Sequence, residues 1–244
     1  MNASCALLLT ATVAPDPETP ALSVRDPQAR EAEYLDALGR WCRALPPSWE
    51  IAVAENSGWP TSVFADAGRQ AGREVHVLAC ESRGSEAGGK SAGEAELIDD
   101  FAGSELAQRV EWIFKCTGRL FVENVEACLP RLERTAGVCG AIVPTLDHMD
   151  SRFFGASRAV FHEYFTAMGP EMDERTGMRF EVVAARRMLA ALAAGNPFRP
   201  FAALPYFIGR SGSLDAAYNS ATIRAKWFLR QQVRRTVISR EILI

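Results

Sequence analysis

The sequence lacks three features that would each have pointed to a familiar class of protein. Its 27 Lys and Arg are outnumbered by 30 Asp and Glu, so the basic excess of a typical nucleic-acid-binding protein is missing. No apolar run is long enough to span a bilayer. None of the six cysteines forms a Cys-x-x-Cys pair, so neither a zinc site nor a thioredoxin-like redox site is indicated. We therefore expect no nucleic-acid partner and no metal site of this kind.

The N-terminus and the cysteines bear on the compartment. Residues 1–13 are apolar but have no preceding basic stretch, which favours a first buried strand over a signal peptide. The cysteines are scattered, and several lie in apolar runs, where a reduced thiol behaves as a small hydrophobic group. Scattered cysteines of this sort are typical of a reducing compartment, so we expect a cytoplasmic location.

The first half of the sequence alternates between two kinds of apolar pattern. Short apolar runs predict strands at 6–13, 50–54, 74–79 and 112–115, and helical spacing predicts helices at 30–45, 64–72 and 94–106. Alternating strands and helices indicate an α/β fold with a central, mainly parallel sheet that has helices on both faces.

The second half has weaker signals but continues without a disordered linker. We predict a helix at 124–132, a strand at 140–144, a strand followed by a helix at 153–165, a helix at 180–194 and a strand at 206–208. Residues 220–244 predict a basic amphipathic helix or helix pair. With 48% apolar residues and no linker, the sequence predicts a single domain over 1–244.

Polar residues follow the predicted strands. Because ligands of open α/β sheets bind beyond the carboxyl ends of the strands, we expect these residues to meet in one crevice. They are Thr10, Thr12, Glu55, Asn56, Ser57, Glu81 and Arg119.

A cationic turn closes the fourth predicted strand. Lys115 and Arg119 bracket the small residues Thr117 and Gly118, and two cations there can hold a diphosphate, for which Arg offers a planar fork. The alternative is an ordinary turn at a strand end with two solvated cations.

Two glycine-containing segments are further candidates for anion binding. Residues 82–93 predict a flexible stretch carrying Lys90, and its glycines lie just before a predicted helix, whose N-terminus can bind an anion. The spacing is not that of a P-loop, and a flexible loop with a helix-capping glutamate explains it equally well. Arg210 and Ser211 stand in a second small-residue turn, near Tyr218, and a plain tight turn is the alternative there.

Acidic residues suggest acid–base chemistry. Asp147, His148, Asp150 and Arg152 lie within one charged turn, which can supply a general base, a metal ligand or contacts to an acceptor hydroxyl. A polar turn that caps the next element is the alternative. Glu181 opens a predicted helix and is either a base or an acid favoured by the helix dipole.

The ordered series of these motifs resembles the GT-A class of glycosyltransferases, in particular bacterial enzymes of capsule and lipopolysaccharide assembly. The resemblance runs from about Leu9 to Tyr218. Its motifs are Leu9-Thr10-Ala11-Thr12, Ala54-Glu55-Asn56-Ser57, Gly89-Lys90 with Gly93-Glu94, Phe114-Lys115-Cys116-Thr117-Gly118-Arg119 with Asn124, Asp150-Ser151-Arg152-Phe153-Phe154, and Ser211-Gly212-Ser213 with Tyr218.

This resemblance implies a single GT-A-like, Rossmann-like domain that transfers a sugar from a nucleotide-sugar donor to a glycan or lipid-linked acceptor. Residues 1–123 would form the donor half and 124–244 the acceptor half. The predicted donor-binding residues are Thr10, Thr12, Glu55, Asn56, Ser57, Lys90, Lys115, Thr117, Gly118, Arg119, Arg210 and Ser211. The predicted acceptor-binding residues are Asp147, His148 and Arg152, and the predicted bases are Asp150 first and Glu181 second.

The chain departs from the resembling family at the metal site. Many GT-A enzymes end the fourth strand in an Asp-x-Asp that binds a divalent metal, whereas here Thr117-Gly118-Arg119 stands in that place. Because protein cations can neutralise a leaving nucleotide directly, we expect no metal site and no required cofactor.

Two other functions and one further partner stay open. The departure leaves room for a non-catalytic nucleotide-sugar-binding domain. A nucleotidyltransferase-like enzyme would need a glycine-rich basic loop after the first strand, where this chain is proline-rich and acidic. The C-terminal segment predicts either a helix packed on the core or a peripheral contact with the inner face of an anionic membrane. Its basic residues are Arg224, Lys226, Arg230, Arg234, Arg235 and Arg240.

Overall fold

The fold was obtained as a computed structural model. It describes residues 3–17, 22–82, 85–130, 132, 136–210, 217–218 and 220–241, with side chains described for all of these except 85–88 and 233–241.

A sheet of six strands forms the centre of this described part. The strands are β1 (Cys5–Ala11), β2 (Trp49–Glu55), β3 (His76–Ala79), β4 (Trp112–Thr117), β6 (Val138–Cys139) and β7 (Phe153–Ser157), and they lie in the order β3-β2-β1-β4-β7-β6. The four strands of the first half are parallel. Strand β7 runs antiparallel to β4 and to β6. The predicted α/β fold with a mainly parallel central sheet is confirmed.

Helices cover both faces of the sheet because its central strands are apolar on both sides. Strand β1 is buried along its whole length. Leu7 and Leu9 pack with helices α1 (Pro27–Ala44) and α2 (Ser62–Gln70). Leu8 packs on the other face. The helices of that face are α3 (Ser85–Ala102), α4 (Glu105–Arg109), α6 (Arg158–Tyr164) and α7 (Phe180–Ala193).

Two short elements lie beside the main sheet. Strands β5 (Phe121–Val122) and β8 (Phe207–Ile208) pair as an antiparallel ribbon, and α5 (Val125–Cys128) follows β5. The last helix, α8 (Ala221–Glu241), is a single helix. Among the described residues, no helix combines the length and the apolar composition that crossing a membrane requires.

Two predicted boundaries were wrong. Residues 85–93, predicted as flexible, belong to α3, which is interrupted at Gly89 (φ +61°). The Glu174 carboxylate accepts hydrogen bonds from the Ser91 N–H (3.0 Å) and hydroxyl (2.6 Å), and so supports the helix beyond that break. The strand predicted at 140–144 is instead β6, two residues earlier, where Cys139 pairs with Gly155 of β7.

Candidate active site

The loops that follow β1 and β2 are joined by hydrogen bonds, as expected for neighbouring parallel strands. The Thr12 hydroxyl donates to Asn56 Oδ1 at 2.7 Å. The N–H of Ala14 donates to Ser57 Oγ at 2.9 Å. The structure therefore brings Thr12, Asn56 and Ser57 together at the carboxyl edge of the sheet.

Glu55, the last residue of β2, lies beneath these two hydrogen-bonded loops. Its side chain is buried, and the carboxylate accepts hydrogen bonds from the N–H groups of Val13 (3.0 Å), Ser57 (3.0 Å) and Trp59 (3.2 Å). The Ser57 hydroxyl donates to it as well. Glu55 was predicted to bind the donor directly, but in this structure it holds the two loops in place.

Lys115 is fully buried, although it was predicted to be either a phosphate ligand or a solvated cation. It forms an ion pair with Glu94 of α3. Its ammonium group also donates to the Ser151 carbonyl (2.9 Å) and lies 5.2 Å from the centre of the Phe180 ring. A buried ammonium needs a counter-charge and hydrogen bonds, and these partners supply both.

Two carboxylates flank this buried lysine. Glu94, whose side chain is 24% exposed, also accepts a hydrogen bond from the Thr10 hydroxyl at 3.2 Å. On the other side, the Ser151 hydroxyl donates to Glu181 at 3.2 Å. Glu181, half-buried in the first turn of α7, thus shares Ser151 with the lysine.

Sequence reasoning did not assign Glu94 a catalytic or binding role. The signal was present in β4, where Lys115 interrupts an otherwise apolar strand and so requires a buried acid. The partner itself lies 21 residues earlier, where it was predicted to be the first residue of a helix and a helix-capping glutamate.

Asp150 and Arg152 form a bidentate ion pair in front of β7. Arg152 Nε and Nη2 donate to the two carboxylate oxygens at 2.8 and 2.6 Å. Its guanidinium lies 4.2 Å from the Phe207 ring and 4.8 Å from the Tyr218 ring. Burial lowers the pKa of Arg152, but the hydrogen bonds and charge of Asp150 outweigh it and raise the pKa above its ordinary value.

The Asp150–Arg152 ion pair lies at the edge of the sheet where β1, β2 and β4 end. The N–H of Thr117, the last residue of β4, donates to the Arg152 carbonyl at 3.0 Å. Because β7 runs against β4, its first residues lie beside the last residues of β4. Thr117, Asp150 and Arg152 therefore lie at the same edge as Thr10, the one of these four that was predicted to be in the crevice.

Asp147 and His148 are exposed instead, with 65% and 52% of their side chains accessible. The Asp147 carboxylate accepts hydrogen bonds from Thr145 (2.5 Å) and His148 (2.9 Å). The hydrogen bond from Thr145 is the main reason why the pKa of Asp147 is lowered. Two of the three predicted acceptor-binding residues therefore face solvent.

Gly118 and Arg119 follow β4 but lead away from the edge. Gly118 N–H donates to the Thr10 carbonyl at 2.9 Å, and a Cβ at Gly118 would lie 2.6 Å from that oxygen. Arg119 extends to α1, where Nη1 donates to Glu33 at 2.8 Å. Its guanidinium lies 6.0 Å from the Tyr34 ring.

The remaining predicted residues are more dispersed. Lys90 is exposed on α3, Arg210 is exposed after β8, and Glu81 is exposed after β3. Ser211 lies outside the described residues. In the described part of the chain, no three His, Cys, Asp or Glu side chains converge in a group that could hold a metal ion.

Arg30 is a residue of this region that sequence reasoning missed. It is buried, and its Nε and Nη2 donate to the Thr12 carbonyl at 2.9 and 2.5 Å. Nη2 also lies 3.2 Å from the Tyr34 hydroxyl. Burial lowers the pKa of Arg30. Arg and Tyr four residues apart share one face of a helix, which was the available signal.

Comparison with known proteins places the fold. No protein-family model matches the chain, and no curated protein matches it. A protein from Desulfovibrio desulfuricans G20, whose crystal structure was assigned as that of a nucleotide-diphospho-sugar transferase, superposes with a TM-score of 0.53 at 11% identity, over 81% of this chain and 79% of that one. The fold is GT-A-like.

The glycosyltransferase GlyE of Streptococcus pneumoniae TIGR4 is also similar, with a TM-score of 0.47 and 9% identity. That match covers 82% of this chain but 45% of GlyE. At these identities, neither the reaction nor the site residues of those proteins can be assigned to this chain.

Proposed function

We propose that this chain is a glycosyltransferase that uses a nucleotide-sugar donor. The observation that carries the proposal is the row of polar side chains at the carboxyl edge of a GT-A-like sheet, formed by Thr10, Thr12, Asn56 and Thr117. Ligands of open α/β sheets bind beyond this edge. The fold alone allows many reactions, so the argument depends on the side chains.

The donor nucleoside is proposed to lie on the joined loops after β1 and β2. There the Thr12 and Asn56 side chains are oriented by each other, and the Thr12 carbonyl is fixed by Arg30. A site whose polar groups are already held in place loses less entropy when it binds a ligand.

Cations near the edge are proposed to bind the donor phosphates. The charge of buried Lys115 is already neutralised by its ion pair with Glu94, so the proposed role of Lys115 is to orient that carboxylate. Arg152, with 35% of its side chain exposed, and exposed Lys90 are better placed to contact a phosphate. Since Thr117-Gly118-Arg119 stands where an Asp-x-Asp would bind metal, activity is proposed to survive chelation.

For the general base, the contacts favour Glu181 over Asp150 and reverse the order proposed from sequence. Both oxygens of Asp150 are engaged by Arg152, whereas Glu181 receives one described side-chain hydrogen bond, from Ser151. A carboxylate with an uncommitted oxygen can accept a proton from an acceptor hydroxyl.

The acceptor is proposed to be a lipid-linked glycan reached at an anionic membrane surface, as in the resembling capsule and lipopolysaccharide enzymes. Helix α8 touches the rest of the described chain through Trp227, which donates to the Leu204 carbonyl at 3.0 Å, and through Gln231, which accepts from the Leu204 N–H at 2.9 Å. Phe228 and Leu229 are 59% and 66% exposed. From Ala221 to residue 240 the helix has six basic residues and no acidic one. Basic helices with exposed apolar groups bind anionic membranes.

The donor is tested by thermal shift and calorimetry against a panel of nucleotides and nucleotide-sugars, with and without EDTA. A ligand that binds the folded state raises its apparent stability. We expect binding by one nucleotide-sugar class and weaker binding in Asn56→Ala, but not in Glu126→Gln, a change at an exposed position of α5. No binding by any nucleotide-sugar would overturn the proposal, and complete dependence on an added divalent metal would overturn its metal-independent part.

Transfer is tested with the donor so identified. We expect Glu181→Gln to bind donor normally and to lose about 100-fold or more in transfer rate, the usual contribution of a general base. Full transfer by Glu181→Gln together with loss in Asp150→Asn would restore Asp150 as the base. Donor binding without transfer to any acceptor would instead favour a non-catalytic binding domain. Formation of an activated sugar from a nucleoside triphosphate would favour a nucleotidyltransferase.

The membrane contact is tested by flotation with vesicles that contain anionic or only zwitterionic lipid. We expect binding to anionic vesicles at low salt, and its loss when Phe228 and Leu229 are both changed to Ser. The control is Val63→Ser, which removes a half-buried apolar side chain from another helix, α2. Equal flotation by the double variant and the wild type would contradict the proposed surface.

A further inference from the structure

A cavity of about 230 Å³ lies between α1 and the β5–β8 ribbon and is lined by Arg119. Its polar lining consists of three guanidinium groups, from Arg40, Arg119 and Arg210, and two carboxylates, from Glu33 and Asp36. With all five groups ionised, the lining carries one positive charge in excess, so it is matched to an anion.

Arg119 is the central group of this lining. It is 95% buried, with a relative exposure of 5%, and its Nη1 donates to Glu33 at 2.8 Å. Its buried Nε, by contrast, has no hydrogen-bond partner among the described residues. A buried donor on a charged group is rarely left unpaired, because the loss of its water is then uncompensated.

The geometry of the guanidinium indicates the chemistry of a partner. Glu33 occupies Nη1, which leaves the edge formed by Nε and Nη2. Two parallel N–H groups on one edge match two oxygens of a phosphate or carboxylate. Arg40 and Arg210, the other two arginines of the lining, add positive charge around the same space.

The cavity is also built by a close backbone contact. Gly209 has φ +126°, and a Cβ there would lie 2.4 Å from the Arg119 carbonyl oxygen. Only glycine lets the chain after β8 pass this closely. Phe121 and Ile208 add an apolar part to the lining, next to which a short hydrocarbon group would fit.

We propose that this cavity is a second binding site, separate from the edge of the sheet, for a phosphoryl group held by Arg119. The ligand is either free phosphate or a phosphate monoester whose organic part lies on Phe121 and Ile208. The proposal does not depend on glycosyl transfer, and its test uses no nucleotide.

The test is isothermal titration of the full chain with inorganic phosphate and with butyl phosphate, at ionic strength held constant with sodium chloride. Binding should be at least about tenfold weaker in Arg119→Gln, since a hydrogen bond to a charged group is lost. Arg40→Gln should weaken it less. Arg40 is 40% exposed, so this second variant keeps the test usable if Arg119→Gln does not fold.

The matched control is Arg69→Gln, which removes an exposed arginine that is also paired with an aspartate, on α2. It should bind phosphate as the wild type does. Tighter binding of butyl phosphate than of phosphate would support the monoester, and equal binding would support free phosphate. Absence of binding by both ligands, or wild-type binding in both cavity variants, would overturn the proposal.

Discussion

Replacing Glu55 by Gln tests whether this carboxylate holds the two loops of the candidate site. The change keeps the shape of the side chain but removes its charge and one acceptor. The amide oxygen of the glutamine can still accept from the N–H groups of Val13 and Ser57. Its NH₂ group, however, would face the Trp59 N–H, which donates to the Glu55 carboxylate at 3.2 Å in the wild type. Two donors that face each other cannot form a hydrogen bond.

The magnitude follows from these contacts. An unsatisfied buried N–H costs about 1–3 kcal/mol, and each bond that loses its charged acceptor weakens by about 1 kcal/mol. We therefore expect Glu55→Gln to lower the free energy of unfolding by about 4 kcal/mol. For a chain of this size, that corresponds to a fall in Tm of roughly 8–16 °C.

Urea denaturation followed by circular dichroism measures this difference, provided that the slope with denaturant is unchanged. The control is Glu123→Gln, at an exposed glutamate, which should change stability by less than about 0.5 kcal/mol. If Glu55→Gln is no more destabilising than the control, Glu55 does not hold the loops, and its assignment as a donor ligand regains support.

Three further variants or modifications test the same region. Gly118→Ala should lower the free energy of unfolding by about 1–3 kcal/mol or more, because the new methyl group would lie 2.6 Å from the Thr10 carbonyl oxygen; wild-type stability in urea would show that this crossing can relax. Lys115→Met should cost about 1–3 kcal/mol in the same assay, less than for a fully buried pair because the carboxylate partner is 24% exposed; a gain in stability would mean that the pair is not needed for folding. Burial raises the pKa of the Cys116 thiol to about 12, so at pH 8 almost none of it is the reactive thiolate, and iodoacetamide should modify half-buried Cys80 first in peptide mapping; equal labelling of the two would argue against the buried environment of Cys116.

The central sheet could be predicted from the sequence because its strands carry their own signals. Residues 6–9 and 51–54 are continuous apolar runs within the strands predicted at 6–13 and 50–54, as is usual for buried parallel strands. The structure has these strands at Cys5–Ala11 and Trp49–Glu55. The first part of α3 could not be predicted in this way. Its glycines favour a loop, and the support it receives from Glu174 comes from 83 residues away.

In the candidate site, too, some contacts could be predicted from the sequence and others could not. Thr12 and Asn56 could be expected to meet, because they follow neighbouring parallel strands in one register. The partners of Lys115 and Arg119 could not be predicted, because Glu94 and Glu33 lie 21 and 86 residues away and on opposite faces of the sheet. Sequence spacing identifies which strand end a cation occupies, but the pleat and the packed helices decide where it points.

The reversed direction of β7 has a consequence for how such a protein can diversify. One side of the crevice consists of the loops that follow β1 and β2. The other side consists of the segment that precedes β7. Insertions before β7 lengthen a loop at modest entropic cost and leave the hydrogen bonds of the parallel strands untouched. Mutation can thus remodel the side that contains Asp150 and Arg152 while the side that contains Thr12 and Asn56 keeps its shape, so the two halves of the crevice are free to evolve at different rates.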